Sequence, residues 1–200
     1  MDPVCVAFKA HLGWVNAVAV LARRSRPTPV HAERIDLFSA DDREAVEPYH
    51  VAGGWHGLDQ GPRPENPEAV IRRGRAKQAA AAIERLARLK GDLGAAGLDW
   101  QRAVVLTARG WLGDLEHILG SHAHIHVAEG EAIRDATRAA LADLQILSTD
   151  QDEKSIAELA GKRLRVDDCD AMMKELRPDG IRFWRKEERT IALGAWLHRR

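Results

Sequence analysis

The stretch Cys5-Val6-Ala7-Phe8-Lys9-Ala10-His11-Leu12-Gly13-Trp14-Val15-Asn16-Ala17-Val18-Ala19-Val20-Leu21 decides how the rest of the chain is read. Two valine-rich apolar runs, residues 4–8 and 14–21, flank a short segment that ends in Gly13. Such runs read as two antiparallel strands of a hairpin. Residues 30–38 alternate loosely after a turn holding Pro27 and Pro29, which predicts a third antiparallel strand toward one edge. Further out, Asn66-Pro67-Glu68 is a helix start, with Asn as N-cap and Pro at the first helical position. That helix is expected to run to about Leu93, with the alanines 79–82 suited to close packing and Gly94 or Gly97 as its stop. Residues 103–107 predict a short buried strand parallel to the first. Residues 114–144 carry a second helical pattern, bent near Gly120-Ser121, and residues 145–148 a fifth strand. The last fifty residues hold short helices, a polar turn at Pro178-Asp179-Gly180 and a final amphipathic helix over about 185–198.

The 200 residues fit one domain with one well-buried core, and no internal repeat or low-complexity tract divides them. Lys plus Arg and Asp plus Glu both total 30, so the overall basic field of many nucleic-acid binders is missing. A local patch survives: residues 63–90 carry eight basic side chains, among them Arg72, Arg73, Arg75 and Lys77, against three acidic ones. A solvated helix face and a phosphate-contacting surface are both compatible with it. Cys5 and Cys169 lack the spacing of a disulfide framework or a thiolate metal site, and Cys5 reads as a small core residue. No signal-peptide pattern and no apolar run near the roughly 18 residues of a membrane span is present, so the expected compartment is the cytoplasm. Between residues 39 and 66 the composition turns to Gly, Pro, Asp and Glu around Tyr49, His50, Trp55 and His56. This reads as one long loop, which in a compact domain is a lid, a binding loop or disordered.

An α/β order of three antiparallel strands, helix, strand, helix, strand and terminal helix resembles the ribonuclease-H-like superfamily. The opening hairpin is similar to that of its Holliday-junction resolvase branch, and the segment 121–130, SHAHIHVAEG, resembles the branch's central helix with its Ser start and small residues. The resemblance implies a mixed five-stranded sheet with flanking helices, and a nuclease site in which clustered carboxylates hold two divalent metals about 4 Å apart. This chain departs from that pattern. The first strand should end in Asp and instead carries Lys9; the fourth should deliver an acid and instead ends Leu106-Thr107-Ala108-Arg109, with Asp114 and Glu116 only later. On the terminal helix Glu187 and Glu188 remain as candidates for the last acidic position, beside Arg185 and Lys186. The resemblance therefore implies a nucleic-acid-associated binding or accessory protein with a degenerate nuclease site, supported by Arg72, Arg73, Arg75, Lys77, Arg185 and Arg189; residual nuclease activity through Glu187 or Glu188 is a minor alternative.

Four of the nine histidines, His117, His122, His124 and His126, fall within ten residues. On a helix, His122 and His126 share a face and Glu129 lies three residues further, so imidazoles and a carboxylate converge on a borderline metal such as zinc, with His11 or His50 completing the set. On a strand the even-numbered histidines share one face and the ligand set changes. A second reading is an enzyme for a small anionic substrate, in which Lys9 supplies charge, His11, His122 or His126 carries a proton and Glu129 orients it. The plainest reading leaves His122 and His126 as hydrogen-bonded helix residues and Glu129, Glu131 and Arg134 as a helix surface with a Glu131–Arg134 pair. The six tryptophans read as core and subdomain contacts, with Trp55 in the long loop the exception. Phosphate-loop, dinucleotide, nucleophile-elbow and HExxH patterns are absent.

Overall fold

The computed structural model describes residues 1–39, 41–108, 110, 113–176, 178 and 180–199. The expected placements of Arg109, Trp111 and Asp179 lie outside them. Strand β1 (Asp2–His11) turns back at Gly13 into β2 (Trp14–Leu21), and β3 (Pro29–Asp36) pairs with β2. Gly13 has φ +78°, a left-handed conformation that glycine adopts without a Cβ penalty. Short helices α1 (Arg43–Val46) and α2 (Pro48–Gly53) follow, then a two-strand ribbon of β4 (Trp55–His56) and β5 (Asp59–Gln60). Helix α3 (Pro67–Ala95) leads into β6 (Leu98–Thr107), α4 (Leu115–Leu119) and α5 (His122–Asp143). Strand β7 (Leu147–Asp152), a single 3₁₀ turn (Glu153–Ser155), α6 (Ile156–Leu164), α7 (Cys169–Glu175) and α8 (Lys186–Leu197) complete the chain.

The main sheet has the order β3-β2-β1-β6-β7, with β1–β2 and β2–β3 antiparallel and β1–β6 and β6–β7 parallel. This is the expected mixed five-stranded sheet. The alternation of β1 sorts its side chains between two layers. Val4, Val6 and Phe8 pack with Leu86, Leu89 and Leu93 of α3 and Ile133 of α5, whereas Cys5 and Ala7 pack with Ile191 and Trp196 of α8 and Ile156 and Met173 beside it. Each such leucine, fully buried, contributes about 2 kcal/mol of transfer free energy. Burial also raises the Cys5 thiol to about 12, so it stays an inert core residue. A third, smaller cluster joins Tyr49 and Ala52 of α2 to Ile71 of α3 and Ile125 and Ala128 of α5.

Local signals explain the element ends. The Asn66 side chain accepts from the Ala69 N–H at 2.9 Å, Ser121 caps α5, and Gly97 takes φ +79° just after α3. Two expectations need correction. The segment 39–66 is not one long loop: Asp42 caps α1, Pro48 opens α2, and Gly54 closes it at φ +73°. Helices of four to six residues are too short for a 3.6-residue periodicity to register, so dense turn residues mask them. The fifth strand begins at Leu147 rather than Gln145, because Gln145 (φ +57°) belongs to the turn after α5. Among the described residues no helix is long and apolar enough to cross a membrane.

Candidate functional site

The parallel strands β1, β6 and β7 end at the same side of the sheet, where Lys9 is in register with Leu106, and Leu106 with Gln151. Alternation sends Lys9 and His11 to the α8 face. There the Lys9 ammonium lies 2.7 Å from Glu153 and 3.0 Å from Glu187 on the first turn of α8. The other Glu187 oxygen lies 3.0 Å from His11 Nε2 and accepts from the Asn16 amide of β2. Burial alone would lower the Lys9 pKa, but the hydrogen bonds that Lys9 donates to Glu153 and Glu187, with their charges, outweigh it and raise it. For Glu187 burial works against the charged form, and the Lys9 bond with the Lys9 and His11 charges overrides it, holding the carboxyl below the ordinary range. Glu188 takes no part: its carboxylate accepts from the Arg185 N–H at 2.8 Å and fixes the start of α8.

Beside this cluster lies a groove of about 430 Å³ bounded by Trp14, Arg34, Phe183 and Arg185. The His11 ring stacks on Trp14 with centroids 3.8 Å apart, and the Arg34 guanidinium sits 4.2 Å from the Trp14 ring. Phe183 is 52% exposed, with the guanidinium groups of Arg185 and Arg182 at 5.1 and 5.4 Å from its ring. The basic run of α3 is occupied differently. Arg73 pairs with Glu44 at 2.9 Å, Arg75 with Asp135 at 2.6 Å and Lys77 with Asp42 at 2.9 Å, while Arg72 is exposed. Arg189 is held by Asp170 at 2.7 Å.

The histidines gather on the other side of the sheet. His122 and His126, one turn apart on α5, face His50 of α2, with ring centroids 4.5 to 5.4 Å apart and planes 68° to 86° from one another. Glu129, one turn further, is buried and accepts from the backbone N–H groups of Tyr49 (2.7 Å) and His50 (3.0 Å), with His50 Nδ1 at 3.3 Å. Burial raises the Glu129 pKa, against the lowering effect of those His50 contacts. Glu129 is therefore not part of a helix surface; the expected Glu131–Arg134 pair does form, at 2.7 Å, but with Arg134 buried.

The single anion pocket that would unite Lys9, His11, His122 and His126 does not form. Lys9 points to the α8 face and is spent on two carboxylates, and only His11 and His126 share a cleft, of about 340 Å³, with Glu129 and Arg134. Trp55 is half-buried, its indole donating to the Leu119 carbonyl at 3.1 Å and packing on His122. Sequence reasoning passed over Asn16 and Glu153. Glu153 had a signal in the acidic run Asp150-Gln151-Asp152-Glu153, but a fifth strand ended at residue 148 leaves that run in the tail instead of at the strand end.

No family model matches the chain, and no curated protein matches it. Solved structures do. The chain is similar to Thermus thermophilus RuvC in complex with a Holliday-junction substrate, at TM-score 0.55 and 8% identity over 98% of this chain and 92% of that one. It is also similar to a second Thermus thermophilus RuvC structure, at TM-score 0.51 and 10% identity over 96% and 92%. With nearly the whole of both chains aligned and the strand order and directions given above, this protein has the ribonuclease-H-like fold in its RuvC-like form.

Proposed function

We propose that this chain is a nucleic-acid-binding accessory protein that engages its substrate without cleaving it. The observation that carries the reading is the Lys9 ammonium bonded to both Glu153 and Glu187. A two-metal nuclease site needs several carboxylates free to bridge divalent cations. Here the cation between the carboxylates is a side chain of the protein itself, and a magnesium ion at that position would meet its charge. The donor set does not fit a metal pair, and no hydrolytic step is assigned to it.

Support for the nucleic-acid partner comes from the RuvC-like fold and from the groove beside Lys9. Phe183 offers an exposed aromatic face, and Arg182 and Arg185 beside it offer guanidinium groups for phosphates and stacked bases, whereas Trp14 is covered by His11 and Arg34, and Arg34 is paired with Asp36. The α3 run of Arg72, Arg73, Arg75 and Lys77 is a secondary surface, since acidic partners already neutralise three of its four charges. The test is fluorescence anisotropy with a labelled four-way DNA junction, a linear duplex and a single strand over a salt series. Binding that weakens steeply with salt supports the reading; binding that ignores salt, or none at low salt, overturns it.

A further inference from the structure

The histidine cluster is separate from the Lys9 site and independent of the nucleic-acid reading. We propose that His50, His122 and His126 form a binding site for a divalent transition metal, with zinc as the best-suited ion and Glu129 as the positioning carboxylate behind His50.

One ligand nitrogen from each of the three residues lies within 4.8 Å of the others. Tetrahedral zinc with Zn–N bonds of about 2.0–2.1 Å places its nitrogens about 3.3 Å apart, so closure needs side-chain adjustments of about 1 Å. The residues suit that motion. His50 is buried and anchored, His122 is half-buried against Trp55, and His126 is exposed, so His126 has the most room to move. Among the described residues neither His122 nor His126 has a hydrogen-bonding partner, so their nitrogens are not committed elsewhere.

The surroundings of His50 carry the second, independent observation. Its Nδ1 lies 3.3 Å from a Glu129 oxygen that also accepts two backbone N–H groups, and this leaves Nε2 for a ligand. A carboxylate behind a metal-binding imidazole fixes its tautomer and raises its basicity. The second Glu129 oxygen is buried and, among the described residues, has no hydrogen-bonding partner, so an unsatisfied polar atom is held in the interior behind His50. A buried oxygen left in that state is costly unless a donor or a positive charge lies close by. A divalent ion bound by the three rings supplies one. Imidazole ligands select zinc, copper, nickel or cobalt over magnesium or calcium. Among the described residues no fourth His, Cys, Asp or Glu joins the group, which leaves a coordination position for water or a substrate oxygen.

The experiment uses untagged full-length protein, dialysed against zinc and then against metal-free buffer, with zinc measured by mass spectrometry and cobalt(II) substitution followed by visible absorption. The expected result is about one zinc per chain and a tetrahedral cobalt spectrum, both lost in the His122→Ala/His126→Ala double variant. His126→Ala, the most exposed of the changes, weakens zinc binding at least 10-fold at unchanged far-UV circular dichroism. Glu129→Gln weakens it about 10-fold while the stoichiometry stays the same, which a packing role alone would not produce. Wild-type protein that holds no zinc, or a folded His126→Ala variant with wild-type zinc affinity, overturns the proposal. Neither result bears on DNA binding, so the two readings fail separately.

Discussion

The ammonium of Lys9, at the end of the first strand, lies 3.0 Å from the carboxylate of Glu187 on the first turn of the last helix. Glu153 closes the same arrangement from the end of β7. The protein thus ties three separate elements together at the sheet end with its own cation.

Removing that cation leaves two half-buried carboxylates facing each other. Lys9→Met is expected to destabilise the fold by about 1–3 kcal/mol in urea unfolding, less than for a fully buried pair because each partner keeps some solvent. A change within error would show that the clamp is a surface pair of no energetic weight.

The pH dependence has a defined sign. Glu187 is held below its ordinary 4.5 in the folded state, so its contribution is present above that value and is lost as pH falls through the folded pKa. Wild type should lose stability between about pH 5 and 3 more steeply than Glu187→Gln. Parallel urea-stability curves for the two proteins would contradict the account.

Putting a carboxylate at position 9 tests the charge argument from the other side. Lys9→Asp places three acids at the sheet end, where like charges repel until a cation enters. Magnesium should raise the melting temperature of this variant and leave wild type unchanged, because the histidine cluster does not favour that hard ion. Equal responses in both proteins would count against Lys9 as the group that excludes the metal.

A fourth expectation concerns Gly74. A Cβ there would lie 2.3 Å from the Glu44 carbonyl and 2.5 Å from Pro48, so the close approach of α3 to the α1–α2 segment at this point requires a glycine. Gly74→Ala should cost about 1–3 kcal/mol and displace α2, the helix that carries His50. Thermal unfolding together with zinc titration reads both effects.

Much of this was legible in the sequence, for identifiable reasons. The hairpin of residues 4–21, the Asn66-Pro67 start and the Gly120-Ser121 break are encoded by short-range chemistry, so strands, caps and order follow from neighbours along the chain. The pairing of His122 with His126 follows from helical period alone, and of the two further candidates, His11 and His50, the structure brings His50 to them. Lys9 and Glu187 were singled out separately, but their contact was not foreseeable. It depends on which face of β1 the odd-numbered residues take and on where α8 lands, both set by tertiary packing. Glu153 was missed because the strand before it was placed too early, and Glu129, though a candidate ligand and orienter, could not be read as buried because a helix surface and a buried carboxylate look alike until α2 is docked against it.

The groove beside the clamp gives the last expectation. Phe183→Ala and Arg185→Ala remove exposed groups, so stability should change by less than about 0.5 kcal/mol. Affinity for DNA should nevertheless fall, and the salt slope should drop by about one for the arginine change.

The most direct measurement is a gel titration of an end-labelled four-way DNA junction with wild-type protein in magnesium buffer, each sample run under native and denaturing conditions. The account predicts a retarded complex on the native gel and full-length strands on the denaturing gel. Cleaved strands, or no retarded complex at low salt, would contradict it.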